Sequence, residues 1–231
     1  ATGDFTGQTF DFNAQVKALL ALPDGRLLVG GDFTRVNGEA HSGTVVINPS
    51  TGQIDPSWDL QITNALRGGA VSVRALTYYD GNVYMGGAFT HLSGGGSSRV
   101  YARNAGRVSL SGRPDRSWNP EISGAVQAVG VSEANSAFYA GGHFTTAHGN
   151  QRAWYAAKFS TQPGAAVDTD FDFVPSSATA GKYQQTIATA GNRVYIGGSE
   201  HNLFGYDAAT NQRVSGAMTF SMGGDLQATT V

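Results

Sequence analysis

Cysteine is absent from the 231 residues, which excludes a disulfide scaffold, a thiolate zinc site and a cysteine nucleophile. Charge is scarce as well: 14% of residues are Asp, Glu, Lys or Arg, against about 25% in an average domain. The 15 basic residues include lysine only at Lys17, Lys158 and Lys182, and with 17 acidic residues the net charge is −2. That balance argues against nucleic acid as a partner. No apolar run reaches 18 residues, so no helical membrane insertion is expected. Asn-x-Ser/Thr acceptors are missing, since Asn48 precedes Pro49; with the shortage of lysine this fits an exported bacterial protein better than a eukaryotic secreted one. Catalytic signatures are lacking too: no Gly-x-Ser-x-Gly elbow, no His-Glu-x-x-His and no phosphate-binding loop. No cofactor and no metal site is expected. The chain opens at Ala1 with no signal-peptide pattern, as expected of a processed or excised form.

What is abundant is glycine, 32 residues, in a pattern. An apolar run ends in a glycine pair four times: Gly30-Gly31, Gly86-Gly87, Gly141-Gly142 and Gly197-Gly198, spaced by 55 or 56 residues. Phe33-Thr34, Phe89-Thr90 and Phe144-Thr145 follow the first three pairs, and Gly38, Gly94 and Gly149 close those segments; the fourth copy has Glu200-His201 instead. A second marker recurs as Asp55-Pro56-Ser57-Trp58, Asp115-Arg116-Ser117-Trp118 and Asp168-Thr169-Asp170-Phe171, with Gln8-Thr9-Phe10-Asp11 as a fragment. Upstream of each pair lies an apolar run with a hairpin turn, as at Asp24-Gly25, Asp80-Gly81 and Gly191-Asn192.

One unit therefore reads as strand, tight turn, strand ending in Gly-Gly, loop, third strand, and a fourth strand bearing the aromatic. The expected third strands are Thr44–Asn48, Val100–Asn104, Trp154–Phe159 and Leu203–Asp207, and Thr9–Phe12 reads as a fourth strand. Four strands per unit of about 50 residues is the arithmetic of a propeller blade. The expected fold is all-β, a single β-propeller domain over residues 1–231 with about four antiparallel four-stranded blades: units 13–69, 70–123, 124–181 and 182–223, and the start of a fifth at 224–231. Such a phase predicts that missing blades of the same longer chain restore closure. The glycine pairs let blades approach where they converge, or supply φ > 0 for a bulge, while Trp58, Trp118 and Phe171 fill the wider gaps between blades.

The string from Leu28 to Gly38, with Asp55-Pro56-Ser57-Trp58-Asp59 after it, resembles the delta-60 repeat of bacterial exported and surface proteins. The resemblance covers nearly the whole chain in three good copies and one degenerate copy. It implies a propeller and a secreted or cell-surface location, and it brings no catalytic residues. Another extracellular or cell-surface protein, or a glycan, is the expected partner.

Candidate binding residues form a polar column in the first strands, Lys17, Arg74, Gln127, Gln185 and Gln227; first strands line the channel of a propeller, so the column either binds an anion, a sugar or a peptide terminus, or fills the channel with water. Trp154 and Tyr155 stand outside the aromatic column as candidate exposed aromatics. His41, His91, His143, His148 and His201 fall in the loops after the glycine pairs, in different repeat columns, and read as solvated. Asp168-Thr169-Asp170-Phe171-Asp172 opens like a calcium loop, but its aspartates align with Asp55, Asp59 and Asp115, which favours turn capping. A non-enzymatic spacer and recognition platform is the primary reading. The alternative is a carbohydrate-active or other hydrolytic propeller with carboxylates at the channel mouth, drawn from Asp32, Glu39, Glu121, Glu133, Glu200 and Asp207.

Overall fold

Each hairpin begins with a turn that only certain residues can make. Asp80 and Gly81 both carry positive φ (45° and 76°), as do Asn37 and Gly38 (51° and 83°), the backbone of the two-residue turn that matches the twist of paired strands. The computed structural model describes residues 7–174, 182–214 and 225–228; the expected unit limits near 181 and 223 lie outside them.

Among the described residues four antiparallel blade sheets follow one another along the chain, with three smaller sheets formed by the hairpins between second and third strands. First and second strands are Val16–Ala21 with Leu27–Gly31, Ser72–Tyr79 with Asn82–Ala88, Val126–Ser132 with Ala137–Gly142, and Gln184–Ala190 with Arg193–Gly198. Third strands are Thr44–Asn48, Ala105–Ser109, Ala156–Ser160 and Leu203–Asp207. The first strand of each sheet lies beside the first strand of the next, so the sheets converge on a common axis like blades.

Three expectations need correction. The third strand of the second blade is Ala105–Ser109, not Val100–Asn104, because Val100 belongs to a hairpin, His91–Gly94 with Ser97–Tyr101, inserted between second and third strands; the third blade's begins at Ala156 rather than Trp154. The fourth strands are short: Gln53–Ile54 in the first blade, and single bridges at Pro114, Val167 and Arg213 in the others. The aromatics stand beyond them in a turn, since the aspartate side chain caps the backbone two residues on. Asp55 Oδ1 accepts from the Ser57 amide (2.9 Å) and hydroxyl (2.7 Å), Asp115 does the same for Ser117 (2.8 and 2.7 Å), and Asp168 takes the Asp170 amide (3.1 Å). Such a turn ends the ladder. Thr9–Phe12 is likewise no fourth strand; only Phe12 makes a bridge, to Val36 of the next hairpin.

After the turn the chain crosses to the following blade and pairs with the hairpin between its second and third strands. Gln61–Thr63 pairs with His91–Ser93, the Ser123 amide donates to Thr146, and Phe12 bridges Val36. Behind these crossings the described residues form four separate apolar cores, most built from residues of two neighbouring blades, with Trp58, Trp118 and Phe171 each in one. Phe33, Phe89 and Phe144 fill the same position in successive blades and are buried, a place that the fourth blade gives to the buried Glu200.

The glycine pair does two jobs. A Cβ on the second glycine would lie 2.2, 1.9, 2.2 and 2.2 Å from the backbone oxygens of Gln15, Ser72, Ala125 and Tyr183 at positions 31, 87, 142 and 198. A Cβ on the first would meet the next blade: Val73 at 2.9 Å from Gly30, Val126 at 2.4 Å from Gly86, Gln184 at 3.0 Å from Gly141 and Leu226 at 2.2 Å from Gly197. None of these eight glycines has positive φ, so the pair is needed for close approach, not for a left-handed backbone. Gly87→Ala drives a methyl into a carbonyl that cannot move aside, and should cost about 3 kcal/mol or more, whereas Gly205→Ala, whose Cβ would make ordinary contacts with Tyr195, should change stability by under about 0.5 kcal/mol. Urea midpoints of the two variants check this; equal loss would refute the assignment.

Candidate functional site

All four first strands carry a β-bulge opposite the glycine pair. The register passes from Val16↔Gly31 to Ala18↔Gly30, from Val73↔Gly87 to Ala75↔Gly86, from Val126↔Gly142 to Ala128↔Gly141 and from Gln184↔Gly198 to Thr186↔Gly197. The extra residue is Lys17, Arg74, Gln127 or Gln185. The expected polar column is therefore the bulge column, thrown out of the ladder at the axial end where the first strands begin. Asp225–Ala228 takes the matching place beside the fourth blade, Leu226 donating its amide to the Gly198 carbonyl (3.1 Å), with Gln227 exposed.

These residues make a polar string across the mouth. Lys17 Nζ donates to Gln15 Oε1 (3.0 Å) and faces Asp32 at 3.3 Å. The Ser72 hydroxyl donates to Asp32 Oδ1 (2.5 Å) and accepts from Arg74 Nε (3.0 Å). His143 stacks on Tyr183 with centroids 4.3 Å apart and planes at 27°. Partial loss of water, with the Arg74 charge nearby, holds the His143 pKa below the ordinary imidazole value. The Tyr183 hydroxyl donates to Asp225 Oδ2, as does Gln185 Nε2 (3.2 Å). The hydrogen bond to Asp225, and then burial, push the Tyr183 phenol up. Arg74 is half-buried and forms no ion pair among the described residues. Asp32 was expected at the channel mouth as a carboxylate of the hydrolytic alternative and His143 as a solvated loop residue, whereas Tyr183 and Asp225 were not expected here; the signal for these two was their place beside the bulges.

Charge elsewhere is committed to holding blades together. Arg26 donates to Asp55 (2.6 Å) and to the Leu110 carbonyl of the next blade (2.9 Å). Arg107 grips Asp115 through Nε (2.9 Å) and Nη2 (2.5 Å) and reaches the Thr161 carbonyl. Lys158 pairs with Asp168 (2.8 Å) and donates to the Ala208 carbonyl (3.1 Å). Leu110, Thr161 and Ala208 hold one repeat position, the residue just after the third strand or its equivalent. Asp168 thus spends one oxygen on its turn and the other on Lys158 and Asn211, and Asp172 faces Arg152 at 3.2 Å, which assigns the calcium-like string to turn capping and ion pairing.

Of the candidate aromatics, Trp154 is exposed, with the Arg152 guanidinium 4.2 Å from its ring. Tyr155 is half-buried against the core between third and fourth blades. The histidines do not gather: His148 Nε2 meets the Ala165 carbonyl (2.8 Å) and His91 stacks edge-on against Tyr101. The carboxylates of the hydrolytic alternative are spread out. Asp32, Glu39 and Glu200 follow second strands, whereas Glu133 lies in a first-to-second turn and Asp207 ends a third strand beside Asn192 (2.8 Å), at the opposite end of the blades. Asp24, Asp55, Asp115, Asp168 and Asp207 all have lowered pKa values, Asp207 to about 2, the reverse of what a general acid needs.

The fold that these sheets define is a β-propeller. No family model matches the sequence, and no curated protein does. Among solved structures the chain is similar to that of U3-55K, a β-propeller protein, with a TM-score of 0.56 and 8% identity over 94% of this chain and 57% of that one. At that identity the likeness shows the fold alone, and the chain spans a little over half the length of that structure's chain.

The clasps make an acid-stability prediction. Burial alone would raise the Asp115 carboxyl, but the Ser117 hydroxyl and Arg107 outweigh it and hold its pKa below 3.8; Asp168 behaves alike through Lys158 and Asn211. A carboxyl with a lowered folded pKa lends stability that is complete above about pH 5 and lost as pH falls through the folded value. Asp115→Asn should lower stability at pH 7 by about 2 kcal/mol and flatten its decline between pH 5 and 2. Urea titrations at both ends check it; an unchanged slope would show that the clasp contributes nothing.

Proposed function

We propose that this protein is a non-enzymatic binding and spacer module that presents the axial mouth of its propeller to a carboxylate-bearing ligand on another extracellular protein or an acidic glycan. The supporting observation is the bulge column. Four blades place Lys17, Arg74, Gln127 and Gln185 at one level around the axis, and Asp32 neutralises Lys17 while Arg74 forms no ion pair among the described residues. A guanidinium held by one nitrogen on Ser72 offers donors in the fork geometry that a carboxylate accepts. A propeller supplies the platform and leaves the ligand to the site.

Export to the bacterial cell surface is part of this reading. It is supported by the resemblance to the delta-60 repeat and by a chain free of cysteine and poor in lysine. The hydrolytic alternative has less support, since Glu133 and Asp207 lie at the opposite end of the blades from Asp32, Glu39 and Glu200.

An array of acidic and neutral glycans, together with peptides bearing free or amidated C-termini, tests the site. Binding should be confined to ligands with a free carboxylate and fall at least about tenfold in Arg74→Met, the loss of one charged hydrogen-bonded contact. Neutral ligands bound equally by the parent chain and Arg74→Met would overturn it, as would glycan turnover abolished in Asp32→Asn.

A further inference from the structure

One pair of side chains breaks the rule that governs every other blade. At three described boundaries two residues of a first strand press on the first glycine of the preceding blade, Val73 and Leu76 on Gly30, Val126 and Val129 on Gly86, and Gln184 and Ile187 on Gly141, and at the fourth Leu226 alone meets Gly197. In the first blade the same two positions are Val16 and Leu19, and they are 40% and 64% exposed. Nothing among the described residues covers them.

We propose that this open face seats a further blade of the same repeat, carried on the same polypeptide outside these 231 residues, whose own glycine pair receives Val16 and Leu19. The outer half of such a boundary is already built. Phe10 and Phe12 close the first blade's core with Phe33 and Val36, and Phe12 pairs with Val36 as Ile62 pairs with Leu92 in the next blade. Gln8, with its amide turned to suit both neighbours, donates to the Pro49 carbonyl (3.3 Å) and accepts from the Gly52 amide (3.3 Å). Pro49 follows the third strand directly, the position whose carbonyl is capped from the preceding blade at Leu110, Thr161 and Ala208. Residues 8–12 therefore act on the first blade as the end of a preceding blade acts on its successor, while the inner half of the interface is bare. The occupant's chemistry follows from the contacts: a strand with two adjacent residues lacking Cβ, because a methyl at the first would overlap Val16 as it would overlap Val73 or Val126. A second copy is a poorer fit, since its one notch facing outward among the described residues, Gly197, is filled by Leu226 of the same chain. A likeness to 57% of a longer propeller chain leaves room in the ring for such blades.

Because the chain has no cysteine, Leu19→Cys installs a single reporter on an already exposed position. Its maleimide labelling is compared in the 231-residue chain and in the complete natural polypeptide, read by mass spectrometry of the peptide that holds position 19. Labelling should be rapid in the former and slowed at least about a hundredfold in the latter, as for a group reached only by local opening. Hydroxyl-radical footprinting of unmodified Val16 and Leu19 gives the same comparison without a variant. Equal reactivity in both proteins overturns the proposal, and so does a natural polypeptide consisting of these 231 residues alone. Protection that grows with the concentration of the 231-residue chain overturns it in favour of a second copy.

Discussion

Everything in this molecule depends on how closely strands can approach the axis. At positions 31, 87, 142 and 198 a carbonyl of the bulged first strand lies where a Cβ would stand, and at 30, 86, 141 and 197 the next blade's side chain does. Protein interiors are packed too tightly to absorb a methyl at such distances. Two consecutive glycines thus set both the shape within a blade and the spacing between blades, and their removal at any one copy would disturb two interfaces at once.

The bulge is the link between that constraint and any binding role. It exists because the first strand must shift by one residue as it passes the glycine pair, and the shifted residue leaves the ladder with its side chain free of cross-strand pairing. Since the shift recurs in every blade, it delivers a ring of side chains at one level. Substitutions at those positions can then change the chemistry of the mouth with little effect on the cores, which lie farther out among Trp58, Trp118 and Phe171. A repeat architecture in which each blade touches only its neighbours separates stability from recognition in this way.

Between blades, apolar burial and charge act at different places. The aromatic turn residues fill the gaps, and their aspartates use one oxygen to shape the turn and the other to hold a cation. That cation reaches a carbonyl of the following blade. Arg107 and Lys158, both almost wholly buried, take the oxygen that the turn leaves over in their acids, which is why the repeated aspartates are structural.

Hairpin turns, glycine pairs and the first two strands of each blade were legible from the residues, because Asp-Gly or Gly-Asn between apolar runs and a period of 55 or 56 are local properties. The column Lys17, Arg74, Gln127 and Gln185 was legible for the same reason. Its bulge was not, since a register exists only between two paired strands. The hairpin at His91–Tyr101 was misread because its Arg-Val-Tyr alternation looks like any strand, and only pairing with Gln61–Thr63 shows which sheet it joins. The cation clasp escaped notice because Arg26 comes from a turn, whereas Arg107 and Lys158 share a third-strand position that the first and fourth blades give to Val46 and Gly205, so the column does not repeat through the chain. Sequence by itself determined the repeat, the turns and the need for close approach; the tertiary structure alone decided which blade each side chain would serve, because contacts between blades join residues some 50 positions apart that no local pattern connects.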